Sequence, residues 1–235
     1  MSDKTTGEVT ERYTVLGALR SPRGLLDTLK SYFGLGRRRV EPVHDRDALR
    51  RFLETRASFV AQTSLYGYLR TRAGQRYPEL FDDDEFVVGI NIAKWQVWLA
   101  CLGDVTCFAG GLLVRAGQAP DAVGALMRAL VDEILDATGV PADAGESFAD
   151  GARAVRERVA ACDWASVSDD EGPFSESPDA LVHWAPVIDT YKQLDAEIVR
   201  NSVRFRWQEI RRQLRENLDA AGVMAGAEPA RSISA

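Results

Sequence analysis

Apolar residues recur at three- and four-residue steps through much of the chain, the spacing that lines one face of an α-helix. Leu49, Phe52, Leu53, Phe59, Val60, Tyr66 and Leu69 mark one such face and predict a helix over about 46–73. Asp45 or Asp47 can cap its start and Gly74 its end. The next segment, about 84–116, is apolar on nearly every side, from Phe86 to Leu113. Asp82, Asp83, Asp84 and Glu85 stand at its start, where acids satisfy orphan N–H groups and favour the helix dipole. A helix apolar all round is either the central member of a bundle or a membrane span. Asp104 decides between them: on insertion scales a central Asp costs about 3 kcal/mol, while each Leu or Val returns a few tenths. A core helix is expected, with Asp104 bonded to an Arg or Tyr from residues 66–77.

Residues 121–138 repeat the helical period through Val123, Leu126, Met127, Leu130, Ile134 and Leu135, with Asp121 as cap and Gly139 and Pro141 as terminators. A shorter helix spans about 146–163, with Phe148, Ala152, Val155 and Val159 as its face. Ser166 to Ser177 is acidic and reads as a mobile loop. A last helix runs over about 178–221, capped by Ser177, kinked at Pro186 and ended by Gly222. Its apolar stripe is Tyr191, Leu194, Ile198, Phe205, Ile210, Leu214 and Leu218. The prediction is all-α: an irregular bundle of four long helices plus shorter helices, with disordered termini. Residues 1–44 form a mobile N-terminal tail with a short amphipathic helix (Leu25, Leu26, Leu29, Phe33) and a basic loop (Arg37, Arg38, Arg39). Residues 45–221 form the helical domain, and 222–235 a disordered tail.

Composition narrows the chemistry. A chain of 235 residues, 46% apolar and 27% charged, is an ordinary globular protein. Its net charge of −6 argues against a generic nucleic-acid binder. Arg outnumbers Lys 25 to 4, the signature of a GC-rich, bacterial coding sequence. Cys101, Cys107 and Cys162 make an odd set without a C-x-x-C pair, so free thiols in a reducing compartment are expected. Without a secretory or lipidation signal, the localisation reads as cytoplasmic. Only His44 and His183 occur, which excludes a three-His metal site and H-E-x-x-H. Neither phosphate-cradling glycine motif is present. No cofactor and no metal is expected.

The informative polar residues concentrate between Ser58 and Lys94. Ser58, Gln62 and Tyr66 share one side of the first helix; Tyr68, Arg72 and Tyr77 follow; Asn91, Lys94 and Trp95 lie on the apolar helix. They are either two core helices bonded to one another or a binding pocket for an anionic group. The stretch Ser58-Phe59-Val60-Ala61-Gln62-Thr63-Ser64-Leu65-Tyr66-Gly67-Tyr68-Leu69, with Tyr77, Asp83-Asp84 and Ile90-Asn91-Ile92-Ala93-Lys94-Trp95, resembles a family of small uncharacterised alphaproteobacterial helical proteins. Some members carry the label esterase. The likeness covers about residues 45–135 and implies no particular catalytic residues.

The chain lacks the nucleophile elbow G-x-S-x-G. An esterase would need Ser64 or Ser58 as nucleophile, His183 as base and Asp179, one turn before it, as orienter. The leading expectation is instead a helical interaction or adaptor protein. It would offer helix faces to a protein partner or to itself, with weak peripheral membrane contact through residues 22–39. A hydrolase of the esterase kind is the alternative. A regulator touching nucleic acid through the Arg-rich stretch 200–216 comes third; solvation of that stretch, or pairing with the acidic loop 166–177, explains it more simply.

Overall fold

A computed structural model describes residues 41–225. The expected N-terminal helix, the basic loop and residues 226–235 lie outside the described residues. Within them the fold is all-α. Helix α1 (Arg46–Ala73) leads through a 3-10 turn (Gly74–Asp82) into α2 (Asp84–Arg115), followed by α3 (Pro120–Thr138) and α4 (Ser147–Ala160). Then come α5 (Glu176–Trp184), α6 (Asp189–Asn217) and the short α7 (Ala220–Ala225). Four of these are long, as the apolar pattern predicts.

Helix α2 is the hub. It packs against α1, α3, α4 and α5, so every side of it meets protein. It is also the one helix among the described residues long and apolar enough to cross a membrane, and 94% of its most apolar window is buried inside the bundle. The caps fall where the acids predict: Asp45 accepts from Ala48 N at 2.7 Å, and Asp83 from Glu85 N at 2.9 Å. Small residues let the neighbours close in. A Cβ on Gly110 would lie 2.2 Å from Cζ3 of Trp164, and one on Gly124 would lie 2.8 Å from its Nε1. The two glycines thus form the slot that holds the indole between α2 and α3.

Asp104 is fully buried in α2, but its partners are not in residues 66–77. Its carboxylate accepts from Arg158 Nη1 of α4 at 2.7 Å and from the backbone N–H of Ser177 at 2.9 Å. Glu176 N lies at 3.3 Å. Asp104 therefore caps α5 from another element, supplying what Ser175 does not, since the Ser175 side chain makes no capping bond. Burial pushes the Asp104 carboxyl up to about 6 against the opposing pull of Arg158 and Ser177.

Several expectations need correction. The helix expected over 178–221 is two helices. Ala185 takes an extended conformation (ψ 132), as the residue before a proline prefers, so Pro186 separates α5 from α6 instead of kinking one rod. Ser177 is not a cap; its hydroxyl is buried and accepts from Trp207 Nε1 at 2.9 Å. Asp121 is not the cap of α3, which begins at Pro120 behind Ala119. The acidic loop is pinned, with Phe174 1% exposed and stacked on Trp207 at 4.6 Å between centroids. Arg115 donates to Val167 O and Arg158 to Pro173 O, and Arg215 meets Asp169, the simpler role expected of the Arg-rich stretch.

The ends of the domain shift too. Val43 is buried and bonds residues 217 and 219, so it belongs to the body and not to a tail. Residues 222–225 are helical, with Val223 buried, and α6 ends at Asn217 rather than at Gly222. Gly222 serves a close approach instead: a Cβ there would fall 2.2 Å from the His44 carbonyl oxygen.

Candidate functional site

The polar residues of α1 and α2 divide into two groups. In the first, Lys94 is 2% exposed because its helix is buried on all sides, and it needs a counter-charge. Asp143, in the loop after α3, supplies it: Lys94 Nζ donates to Asp143 Oδ2 at 2.8 Å and to Asn91 Oδ1 at 3.3 Å. Trp95 Nε1 donates to the other Asp143 oxygen at 2.8 Å. Burial raises the Asp143 carboxyl, yet the bonds from Lys94 and Trp95 outweigh it and hold the group below the usual carboxylate range. Tyr66 lies near enough to feel Tyr77 and Asp143, and burial foremost drives its hydroxyl far above the ordinary tyrosine range. Asn91, Lys94, Trp95, Tyr66 and Tyr77 thus share one neighbourhood, centred on an Asp143 that sequence reasoning missed. Chemically the arrangement is an ion pair between a buried lysine and an aspartate at the surface, which ties the 139–146 loop to α2.

Tyr68 and Arg72 face elsewhere. Tyr68 Oη donates to Asp195 Oδ2 of α6 at 3.1 Å, and its pKa is pushed up to about 12 by burial and by that bond. Arg72 lies 3.7 Å from the same oxygen, with its guanidinium 3.6 Å from the centroid of the Tyr191 ring. This pair clamps α1 onto the first turns of α6. Gln62 is buried on α1.

The serine, histidine and aspartate of the hydrolase alternative are not assembled. Ser58 Oγ donates to Glu54 O at 2.8 Å and accepts from Trp98 Nε1 at 3.1 Å. Ser64 Oγ is buried with no hydrogen-bond partner among the described residues. His183 is exposed on α5, its ring edge-on to Trp184. Asp179 does not orient it, because its carboxylate takes Arg200 of α6. Among the described residues no group of three or more His, Cys, Asp or Glu side chains could hold a metal ion.

The feature that sequence reasoning misplaced is the outer face of α6. Val199, Val203, Trp207, Ile210 and Leu214 face the bundle and are at most 4% exposed. On the opposite side Tyr191 is 40% exposed, Leu194 73%, Ile198 71% and Phe205 71%. The single apolar stripe expected for this helix is therefore two stripes, and the one formed by Tyr191, Leu194, Ile198 and Phe205 points outward. Ile188, just before α6, is 64% exposed and adds to it. No family model matches the chain, and comparison with curated proteins and with solved structures finds no match either. The fold and the site define an all-α bundle with one helix that is apolar on both sides.

Proposed function

We propose that this protein is a helical interaction module that docks a protein partner along the outer stripe of α6. The observation that carries the reading is the alignment of Tyr191, Leu194, Ile198 and Phe205 on one side of a single helix, exposed, opposite the side that packs. Isolated exposed apolar residues are ordinary on a soluble protein; a contiguous row over four turns is the geometry by which a helix meets a second helix or a groove. The free state of Cys101, Cys107 and Cys162 suits action in the cytoplasm. The hydrolase reading draws no support from the placement of Ser58, Ser64 and His183.

The test is site-specific photo-crosslinking in the cell of origin. A benzophenone side chain at Ile198 should give discrete protein adducts, and one at Val140, exposed but outside the stripe, should not. If probes at Leu194, Ile198 and Phe205 all fail to give an adduct, the stripe is not an interface and the reading is wrong.

A further inference from the structure

Resting on that reading, we infer that the occupant of the α6 stripe is a second copy of this chain, paired antiparallel through α6. Tyr191, Leu194, Ile198, Asn201, Phe205 and Gln208 follow one another at alternating steps of three and four residues, the a and d positions of a heptad seam. Pairing two such seams head to tail sets Leu194 against Phe205 of the second copy and Ile198 against its Asn201, with Tyr191 meeting Gln208 at the ends. Every layer then holds at least one apolar side chain, and each polar one lies opposite an apolar partner.

Charge selects this direction. The first ten residues of α6 carry Asp189, Asp195 and Glu197 against Lys192; with Asp195 facing Arg72 of α1, a net of −1 remains. Residues 200–216 carry six Arg against Glu209 and Glu216; with Arg200 paired to Asp179 and Arg215 to Asp169, a net of +2 remains. A parallel pair would set basic half against basic half and align the two helix dipoles; an antiparallel pair sets each basic half on an acidic one.

The flanking residues agree in detail. Glu197 and Arg204 border the seam on the same side, one heptad apart. Among the described residues each side chain bonds only Asn201, which donates to Glu197 Oε1 at 3.1 Å and accepts from Arg204 Nη1 at 3.1 Å. Neither has an ion pair among the described residues. In the antiparallel register that joins Leu194 to Phe205, Glu197 of each copy faces Arg204 of the other, so two unmatched charges in one chain become two matched pairs in the dimer.

The experiment is sedimentation velocity on the full chain over a wide concentration range, with charge-reversal variants. Wild type should pass from monomer to dimer as concentration rises, and Ile198→Arg should remain monomeric. Glu197→Arg and Arg204→Glu should each weaken the dimer roughly tenfold, since each reversal sets like charges together at two symmetry-related places, and the double reversal should restore it. Direction is read by thiol crosslinking in a Cys162→Ser background. A Leu194→Cys chain mixed with a Phe205→Cys chain should form a disulfide dimer that neither forms alone.

Crosslinking of Leu194→Cys to itself would overturn the antiparallel register. A wild type that stays monomeric throughout would overturn self-pairing. The docking reading survives that result if the Ile198 photoprobe still captures a different protein, and falls with it if no adduct forms. Sedimentation of the monomer with phosphatidylserine–phosphatidylcholine vesicles, abolished by Ile198→Arg, would replace the second copy with a membrane surface.

Discussion

Asp104 provides the sharpest test of how the bundle is held. Its carboxyl is fully buried and titrates at about 6 in the folded protein, against about 3.8 for an ordinary aspartate. Between those values the folded chain holds a proton that the unfolded chain has released. The stability linked to Asp104 is therefore fully present below about pH 4 and is lost as pH rises towards 6. Two units at about 1.4 kcal/mol each make the loss roughly 3 kcal/mol. Asp104→Asn keeps the shape and removes the titration, while Arg158 retains Glu176 at 3.1 Å as a counter-charge. Urea unfolding of wild type and Asp104→Asn at half-unit steps from pH 4 to 7.5 isolates the contribution, because other titrating groups cancel in the difference. The wild-type advantage should shrink by about 2–3 kcal/mol across that range. Arg158→Ala, which leaves the buried carboxylate without its main counter-charge, should cost about 3–5 kcal/mol at pH 7.5 and distinctly less at pH 5, where Asp104 is protonated. A difference between wild type and Asp104→Asn that is flat with pH, or that grows as pH rises, would refute the reasoning.

Three further outcomes are expected. Gly110→Ala should lower stability by about 1–3 kcal/mol in thermal unfolding, because the new methyl overlaps the Trp164 ring and the packed slot cannot widen freely. Ser64→Ala should leave stability unchanged or raise it by about 1 kcal/mol, since it removes a buried hydroxyl that makes no bond; a clear loss in denaturant unfolding would show that the hydroxyl is satisfied. Iodoacetamide should modify Cys162 first, because a hydrogen bond from Cys107 favours its thiolate and it is only partly buried, whereas Cys101 and Cys107 should resist until the chain unfolds; peptide mapping after brief exposure reads the order.

The fold was legible wherever one physical cause acts alone. The limits of α1 and α2 follow from Asp45, Gly74 and the acids at 82–85, which cap or stop a helix through local backbone geometry. Asp104 shows where that legibility ends. A buried acid on an all-round apolar helix announces that it needs a partner, but which one depends on how α4 and α5 pack, and Arg158 lies 54 residues away. The same holds for Lys94 and Asp143. Lys94 was recognisable as a buried cation, while Asp143 sits in a short loop with no pattern to distinguish it from a solvated turn residue. Phe174 was hidden because the acids around it dominate its segment, although a single aromatic suffices to pin a loop.

Helix α6 poses a different problem, because the information was present and one step in it misleads. On an α-helix Val199, Val203, Trp207, Ile210 and Leu214 fall within an arc of roughly 80°, and Tyr191, Leu194, Ile198 and Phe205 within a similar arc on the far side. Following apolar residues from one to the next joins the two rows at the five-residue step from Phe205 to Ile210, which crosses the helix. Hydrophobicity does not reveal which row faces the bundle, since Leu194, Ile198 and Phe205 are as apolar as their counterparts. Polar anchorage decides it. The Trp207 indole N–H needs an acceptor once buried and finds the Ser177 hydroxyl, itself held near α2 by the Ser177 backbone bond to Asp104. In the opposite row only Tyr191 meets the bundle, through the Arg72 guanidinium over its ring, while Leu194, Ile198 and Phe205 carry no polar group to satisfy and the flanks end in Glu197 and Arg204. A helix with a polar-anchored apolar row on one side and an exposed one on the other, edged by Glu197 and Arg204, is the basis on which we propose that α6 lies between two surfaces, the bundle being the first.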